Sequence, residues 1–119
     1  MFRIVYYRRQ DGSEPAREWI KSRDNSIRPN IYRKLADLAD EGLNLLNTNI
    51  LDVIEGPDKG LYELRNRGLG WRLAVYHDHA AGVFVVLHGW HKDKNFRLEI
   101  GKARSVLHEY LETEADKHG

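Results

Sequence analysis

Three observations predict an α+β fold with the element order β-α-α-β-β-β-α. Between Leu61 and Trp90, three runs rich in β-branched and aromatic residues are separated by glycine-bearing turns, the pattern of an antiparallel meander. Two segments ahead of this meander and one behind it carry apolar residues at helical spacing. The opening stretch FRIVYYR is dense in β formers and would expose too much apolar surface if it stayed outside the sheet. Helices set apart from a meander give the α+β class, with two N-terminal helices and a C-terminal helix packed on an antiparallel sheet. At 119 residues, one domain spanning 1–119 is expected, large enough for a single core.

Taken in order, Phe2 to Arg8 reads as the first strand. Gln10-Asp11-Gly12-Ser13 is turn chemistry, with Ser13 as an N-cap. Pro15 is tolerated in the first helical turn, where its missing N–H would have had no partner. The helix Glu14 to Ser22 would bury Ala16, Trp19 and Ile20. Asp24-Asn25-Ser26 offers a second cap. From there Ile27, Ile31, Leu35, Leu38 and Ala39 recur at helical spacing to about Glu41, and Gly42 suits the position after the last turn. Arg28, Arg33, Asp37 and Asp40 form the solvated back of this helix. Leu43 to Lys59 shows no clear period and fits a short helical turn or a packed loop. The meander strands are Leu61 to Arg67, Trp71 to Asp78 and Val83 to Trp90. A last helix, Phe96 to Thr113, places Ile100, Ala103, Leu107, Tyr110 and Leu111 on one face, with Glu99, Lys102, Arg104 and Glu109 elsewhere. Residues 112–119 read as a polar, mobile tail.

The chain has no cysteine, which excludes disulfides, thiolate catalysis and zinc sites built on Cys. No apolar run approaches the ~20 residues of a membrane span, and Met1-Phe2-Arg3 begins a strand rather than a signal peptide. A cytoplasmic protein without a membrane partner is expected. A net charge of +1, from 19 basic and 18 acidic residues, does not announce a nucleic-acid binder. The charges are instead segregated. Arg65, Arg67 and Arg72 flank the first meander turn, in a window that holds no acid, and His88, His91, Lys92 and Lys94 gather where the third strand ends. In a meander that end lies beside the start of the second strand, so the two cationic groups are expected to converge. Uncompensated cations gathered there would repel one another, which argues for a binding or catalytic purpose.

The element order, together with Leu61-Tyr62-Glu63-Leu64-Arg65, Trp71-Arg72-Leu73-Ala74-Val75-Tyr76 and Val86-Leu87-His88-Gly89-Trp90-His91-Lys92, resembles the RelE/ParE toxin superfamily. Within it the chain is most similar to the phage-derived HigB-like branch. In that branch an L-[WY]-E-L-R strand leads to an arginine-bearing strand. An L-H-G-[FW]-x-K strand end follows, and then a helix with Ile and Ala where this chain has Ile100 and Ala103. The likeness covers nearly the whole chain and is best over residues 61 to 107. It implies the toxin of a type II toxin–antitoxin pair. RelE-like members cut mRNA, usually in the ribosomal A site, without a metal; ParE-like members poison DNA gyrase and lack the RNA-cleaving residues. The implied partners are mRNA, the ribosome and a cognate helix-turn-helix antitoxin of the HigA kind, which with the toxin represses their operon. No cofactor is implied.

Metal-free RNA cleavage uses the RNA's own 2′-OH as nucleophile on the adjacent phosphorus and leaves a 2′,3′-cyclic phosphate. The protein must help remove the 2′-OH proton, stabilise charge on the phosphorane and protonate the departing 5′-oxygen. Arginine suits the second task because its planar fork holds two phosphate oxygens. By the resemblance, an alternating pair before the first hairpin turn falls at Glu63 and Arg65, the strand-opening arginine at Arg72 and the last cation at Lys92. RelE-like members have lysine where Glu63 stands, and a carboxylate there is the HigB-like habit. Glu63 could act as a base or pair with Arg65 or Arg72, and pairing is favoured because cross-strand acid–arginine pairs are common. Arg65 and Arg72 are expected to clamp the phosphate, and Arg67, Trp90 and Lys94 to contact RNA.

Strict alternation places His88 on the face of Phe84, Val86 and Trp90. Its imidazole suits proton transfer near neutrality, and a satisfied core histidine is the competing reading. His91 and Lys92 qualify as general acid by position, although a lysine is a poor acid at pH 7 unless its pKa is lowered. Trp71, Trp90 and Tyr76 are candidate stacking surfaces; taken singly each reads better as a core aromatic, Trp90 at its strand end excepted. His77-Asp78-His79 with His88 and His91 suggests a metal site. His77 and His79, however, lie at the opposite end of the strand from His91, roughly 20 Å away at ~3.3 Å per residue, so no metal is expected. Two other classes stay open: a ParE-like gyrase inhibitor that relies on the first two helices, and a phage accessory that only binds a partner.

Overall fold

A computed structural model describes residues 1–118. The elements run β1 (Arg3–Tyr6), α1 (Pro15–Lys21), α2 (Arg28–Glu41), a 3₁₀ turn (Gly42–Leu45), β2 (Leu51–Val53), β3 (Leu61–Arg65), β4 (Trp71–Asp78), β5 (Val83–His91) and α3 (Phe96–His118). One sheet holds all five strands in the order β1-β5-β4-β3-β2. The α+β class and the β3-β4-β5 meander are as the sequence predicts.

Several details differ. The stretch without a period supplies a fifth strand, β2, antiparallel to β3 with Asp52 opposite Glu63. Three residues are too few for alternation to show. β1 lies parallel to β5, so the sheet is mixed; the connection between them, through both helices and β2 to β4, is far longer than the crossover a parallel pair needs. Neither expected side-chain cap forms. Glu14 precedes α1 and its amide donates to the Glu18 carboxylate at 2.7 Å, whereas the Ser13 amide donates to Asp11. Before α2, the amides of Ile27 and Arg28 both donate to the Asp24 carbonyl, so a backbone turn does the work assigned to the Asp24–Ser26 side chains. α3 continues through residues 112–118, which are helix rather than tail. Residue 119 lies outside the described residues.

The sheet is covered on both sides. α1 and α2 bring Ala16, Ile20, Ile31, Leu35 and Leu38 against Leu64, Trp71, Leu73, Val75, Phe84 and Val86. α3 brings Ile100, Ala103, Val106, Leu107 and Tyr110 against Leu61, Ala74, Val83, Val85, Leu87 and Trp90. Strands buried on two faces read as near-continuous apolar runs, as β5 does. In α3, Val106 joins the buried stripe and Leu111 stays 39% exposed.

One irregularity decides which side chains meet. Ala74 opposes His88 but Val75 opposes Val86, so Leu87 is an unpaired extra residue, a β-bulge. Side-chain phase inverts across it. Val85 and Leu87 face α3, and so do His88 and Trp90, whereas Phe84 and Val86 face the other helices. His88 is therefore not on the face of Phe84 and Val86, as alternation predicted. Gly89 takes the α1 side, where a Cβ would lie 2.3 Å from Cε3 of Trp19, so the indole rests on bare backbone.

Gly89→Ala is expected to destabilise the fold by about 1–3 kcal/mol through overpacking. In a Trp19→Leu background the same substitution should cost clearly less in urea denaturation; an equal cost would show that the indole is not what excludes the methyl group.

Candidate nucleic-acid site

The α3-facing side of the sheet assembles most of the expected residues in two rows. One row runs Asp52, Glu63, Ala74, His88 from β2 to β5, and the next runs Arg65, Arg72, Trp90. The convergence expected of a meander is present. Trp71 opposes His91, and the Lys92 amide donates to the Gly70 carbonyl at 2.8 Å.

Arg65 and Arg72 face each other directly, an arrangement unfavourable for like charges. Carboxylates relieve it. Arg65 Nη1 lies 2.5 Å from Asp52 Oδ2 and 2.9 Å from Glu63 Oε2, and the same Glu63 oxygen is 3.8 Å from Arg72 Nε. The cations on this face are thus compensated, contrary to the expectation from sequence, because β2 brings Asp52 and alternation puts Glu63 beside Arg65. Arg65 is only 7% exposed, and its Nε is buried without a partner among the described residues. Burial lowers its pKa, but the bonds to Glu63 and Asp52 outweigh burial and the net shift is upward. Arg72 is less enclosed. Its Nη1 donates to the carbonyls of Trp71 (2.9 Å) and Asn66 (3.2 Å), and no protein acceptor meets Nη2 among the described residues. Burial draws Arg72 below the ordinary arginine value, Glu63 opposes this, and Arg65 and Arg67 reinforce it.

In the other row, His88 Nε2 lies 3.0 Å from Glu99 Oε1, and Lys102 Nζ is 2.9 Å from Glu99 Oε2. Glu99 is 7% exposed, not on the solvated side of its helix as expected. Four residues before Ala103 and seven before Val106, it lies on the buried stripe of α3, and a carboxylate interrupting that stripe is the signal that could have found it. Burial raises the Glu99 pKa, but the bonds from Lys102 and His88 more than offset it and hold the carboxyl low. Burial pushes His88 down from its ordinary value and the bond and charge of Glu99 oppose this only in part.

The remaining candidates scatter. Trp90 is 2% exposed, with its ring stacked on His88 at 5.7 Å and met edge-on by Phe96 at 6.5 Å, so no open stacking face exists there. The bulge turns it under α3 instead of leaving it at a free strand end. Phe96, 52% exposed, is the aromatic at the surface. His91 points to the opposite face of the sheet, against Gly70 and beside Asp93, so it does not join His88. Trp71 is buried and donates from its indole N–H to Asn30 at 2.8 Å. The side chains of Arg67 in the β3–β4 turn and of Lys92, Lys94 and Arg97 around the end of β5 and the start of α3 are exposed, without a hydrogen-bond or ion-pair partner among the described residues. His77 stacks on Phe84 near the far end of β5. Among the described residues no group of three His, Asp or Glu is placed to hold a metal ion, and no helix is long and apolar enough to cross a membrane.

The sequence matches no family model and no curated protein. The fold does match solved structures. The isolated E. coli RelE toxin superposes with a TM-score of 0.62 at 14% identity, over 87% of this chain and 98% of that one. The toxin–antitoxin complex RelBE2 from Mycobacterium tuberculosis gives 0.57 at 16% identity, over 76% of this chain and 96% of that one. The chain thus has a RelE-like fold.

Two outcomes are expected in urea denaturation. Glu63→Gln should destabilise by about 1–3 kcal/mol, because it removes a buried partner of a buried guanidinium. Asp52→Asn, whose side chain is 48% exposed, should cost about 1 kcal/mol or less. His88 supplies a pH dependence. Its folded pKa lies below the unfolded value of about 6.5, so in the window between them the unfolded chain binds the extra proton. Stability is present above about pH 6.5 and declines as pH falls toward the folded pKa. His88→Gln should flatten that decline.

Proposed function

We propose that the chain is the toxin of a type II toxin–antitoxin pair, of the HigB-like kind, and that it cleaves mRNA on the ribosome. The observation that carries this reading is local. Arg72, with an open guanidinium edge, stands on one sheet face beside a histidine–carboxylate pair, inside a rim of the unpaired cations Arg67, Lys92, Lys94 and Arg97. A rim of that kind attracts a phosphate backbone. The RelE-like fold supports the same reading, and the RelBE2 neighbour, itself a toxin–antitoxin complex, supports a cognate antitoxin, here a helix-turn-helix protein of the HigA kind.

In this mechanism the 2′-oxygen attacks the adjacent phosphorus as its proton passes to a base on the protein. Arg72 holds the phosphorane oxygens, an electrostatic role that gains strength in a partly desolvated site. Arg65, fixed between Asp52 and Glu63, adds positive potential and holds the carboxylates in place. Lys92 gives the departing 5′-oxygen its proton and regains one from water. The products are a 2′,3′-cyclic phosphate and a 5′-hydroxyl. The nucleophile belongs to the RNA, so the reaction requires no metal-bound water.

The test is primer extension on mRNA from cells briefly induced for the wild-type chain, Arg72→Ala and Lys92→Ala, with EDTA added to a matched in-vitro translation reaction. Discrete cuts within translated regions are expected. They should fall by at least about 10²-fold in Arg72→Ala and be indifferent to EDTA. Growth arrest with intact mRNA would overturn cleavage in favour of a ParE-like, non-catalytic inhibitor of gyrase. No arrest and no cuts would overturn the toxin reading.

A further inference from the structure

Three histidine–carboxylate contacts occur among the described residues, and they differ in burial. His108–Asp58 ties an exposed imidazole to the β2–β3 loop, and His91–Asp93 lies in an exposed turn. Only in His88–Glu99 is the carboxylate closed off, with 9% of its side chain exposed. Both of its oxygens are committed, Oε1 to His88 at 3.0 Å and Oε2 to Lys102 at 2.9 Å. It sits in the first turn of α3, where the helix N-terminus favours negative charge.

An ionised carboxylate can only accept hydrogen bonds. The contact at Nε2 therefore requires the proton of a neutral His88 to reside on Nε2, which leaves the lone pair on Nδ1. That nitrogen has no protein partner among the described residues and is not sealed from solvent. The ring cannot readily turn to exchange its nitrogens. Trp90 stacks on it at 5.7 Å with an interplanar angle of 18°, and its cross-strand neighbour is Ala74. Arg72 stands one row away on the same face.

We infer that Glu99 is a positioning residue that locks His88 as the Nε2–H tautomer, making His88 Nδ1 the base that receives the 2′-OH proton. This rests on the RNA-cleaving reading above and assigns the atom that reading left open. As the 2′-oxygen–phosphorus bond forms and the bond from phosphorus to the 5′-oxygen breaks, Nδ1 gains the proton, and Glu99 stabilises the resulting imidazolium. Lys92 protonates the 5′-oxygen. Transfer of the His88 proton to water then restores the starting state. Glu63 belongs to the Arg65 and Arg72 pairing network and takes no proton.

Two measurements on the full chain test this. Long-range ¹H–¹⁵N correlation on histidine-labelled protein, at a pH where His88 is neutral, should show the Nε2–H form in wild type. That preference should be lost in Glu99→Gln, whose amide can donate as well as accept. Single-turnover cleavage of mRNA on programmed ribosomes supplies the second readout. Glu99→Gln should slow cleavage by about 10- to 100-fold, with Glu99→Asp partly restoring it. The groups facing His88 from α3 are Glu99 and Lys102; those on neighbouring strands are Glu63, Arg65 and Arg72. Glu99 favours the imidazolium and Lys102 disfavours it. The acidic limb of the pH–rate profile should accordingly move to lower pH in Glu99→Gln and to higher pH in Lys102→Gln, which removes an exposed side chain and should fold normally. A purely structural Glu99 would lower stability without moving the tautomer or sending the two limbs in opposite directions. A wild-type His88 found as the Nδ1–H form overturns the assignment while leaving RNA cleavage intact. The Nε2–H form in a chain that cuts no RNA overturns the cleavage reading and, with it, the role of Glu99 in it. Wild-type rates and an unshifted limb in Glu99→Gln overturn the positioning role alone.

Discussion

The bulge at Leu87 inserts one residue into β5 opposite the Ala74–Val75 step, and the arrangement of the whole α3-facing surface depends on where that excess is absorbed. Before it, the strand sends Phe84 and Val86 toward α1 and α2 and Val85 toward α3. After it, His88 and Trp90 take the α3 side and Gly89 takes the other. Because pleat phase is binary, a single inserted residue moves every later side chain to the opposite face. Without it, His88 would point at the indole of Trp19 and Gly89 would leave a gap beneath α3. The same residue count therefore satisfies two packing requirements and brings an imidazole to Glu99.

Burial on both sides of the sheet sets the electrostatics of this face. Charged groups at the sheet's open end are partly desolvated, so each must be paired or keep an edge open to water. Arg65 is the paired case, gripped by Asp52 and Glu63, and its guanidinium gives order to the row more than it offers a free clamp. Glu63 is the enclosed partner, whose removal costs more than the pair contributes net, while β2, although only three residues long, adds the half-exposed Asp52 as a second acceptor. Arg72 is the open case, bonded by one nitrogen to backbone carbonyls and open at another. Two arginines adjacent in register thus divide into a fully paired group and one with an unpaired edge through the placement of two carboxylates.

Beyond this buried row the surface is simple. Lys92, Lys94 and Arg97 lie at the junction of β5 and α3 with the exposed Phe96 among them, and Arg67 is exposed in the β3–β4 turn. A chain of net charge +1 can hold such a patch because acids are used elsewhere, at Asp58 against Arg104 and His108 and at Glu109 against Arg9. Net charge averages over that segregation and conceals it, whereas charge position along the meander does not.

The sequence by itself determined the α+β class, the meander and the meeting of its two cationic segments. Each follows from local rules: period-2 and period-3.6 patterning, turn glycines, and the geometry of antiparallel return. It also placed Glu63 beside Arg65, since residues two apart in a strand share a face. Only the tertiary structure decided which face His88 and Trp90 occupy, because a bulge leaves no compositional mark in an all-apolar run such as Val83 to Leu87. Only it revealed β2, too short to alternate, and with it Asp52 as the second partner of Arg65. Glu99 lay between these cases. Its place on the apolar stripe of α3 was visible in the spacing, but the reason a carboxylate stands there, an imidazole waiting across the gap, exists only once the helix is laid on the sheet.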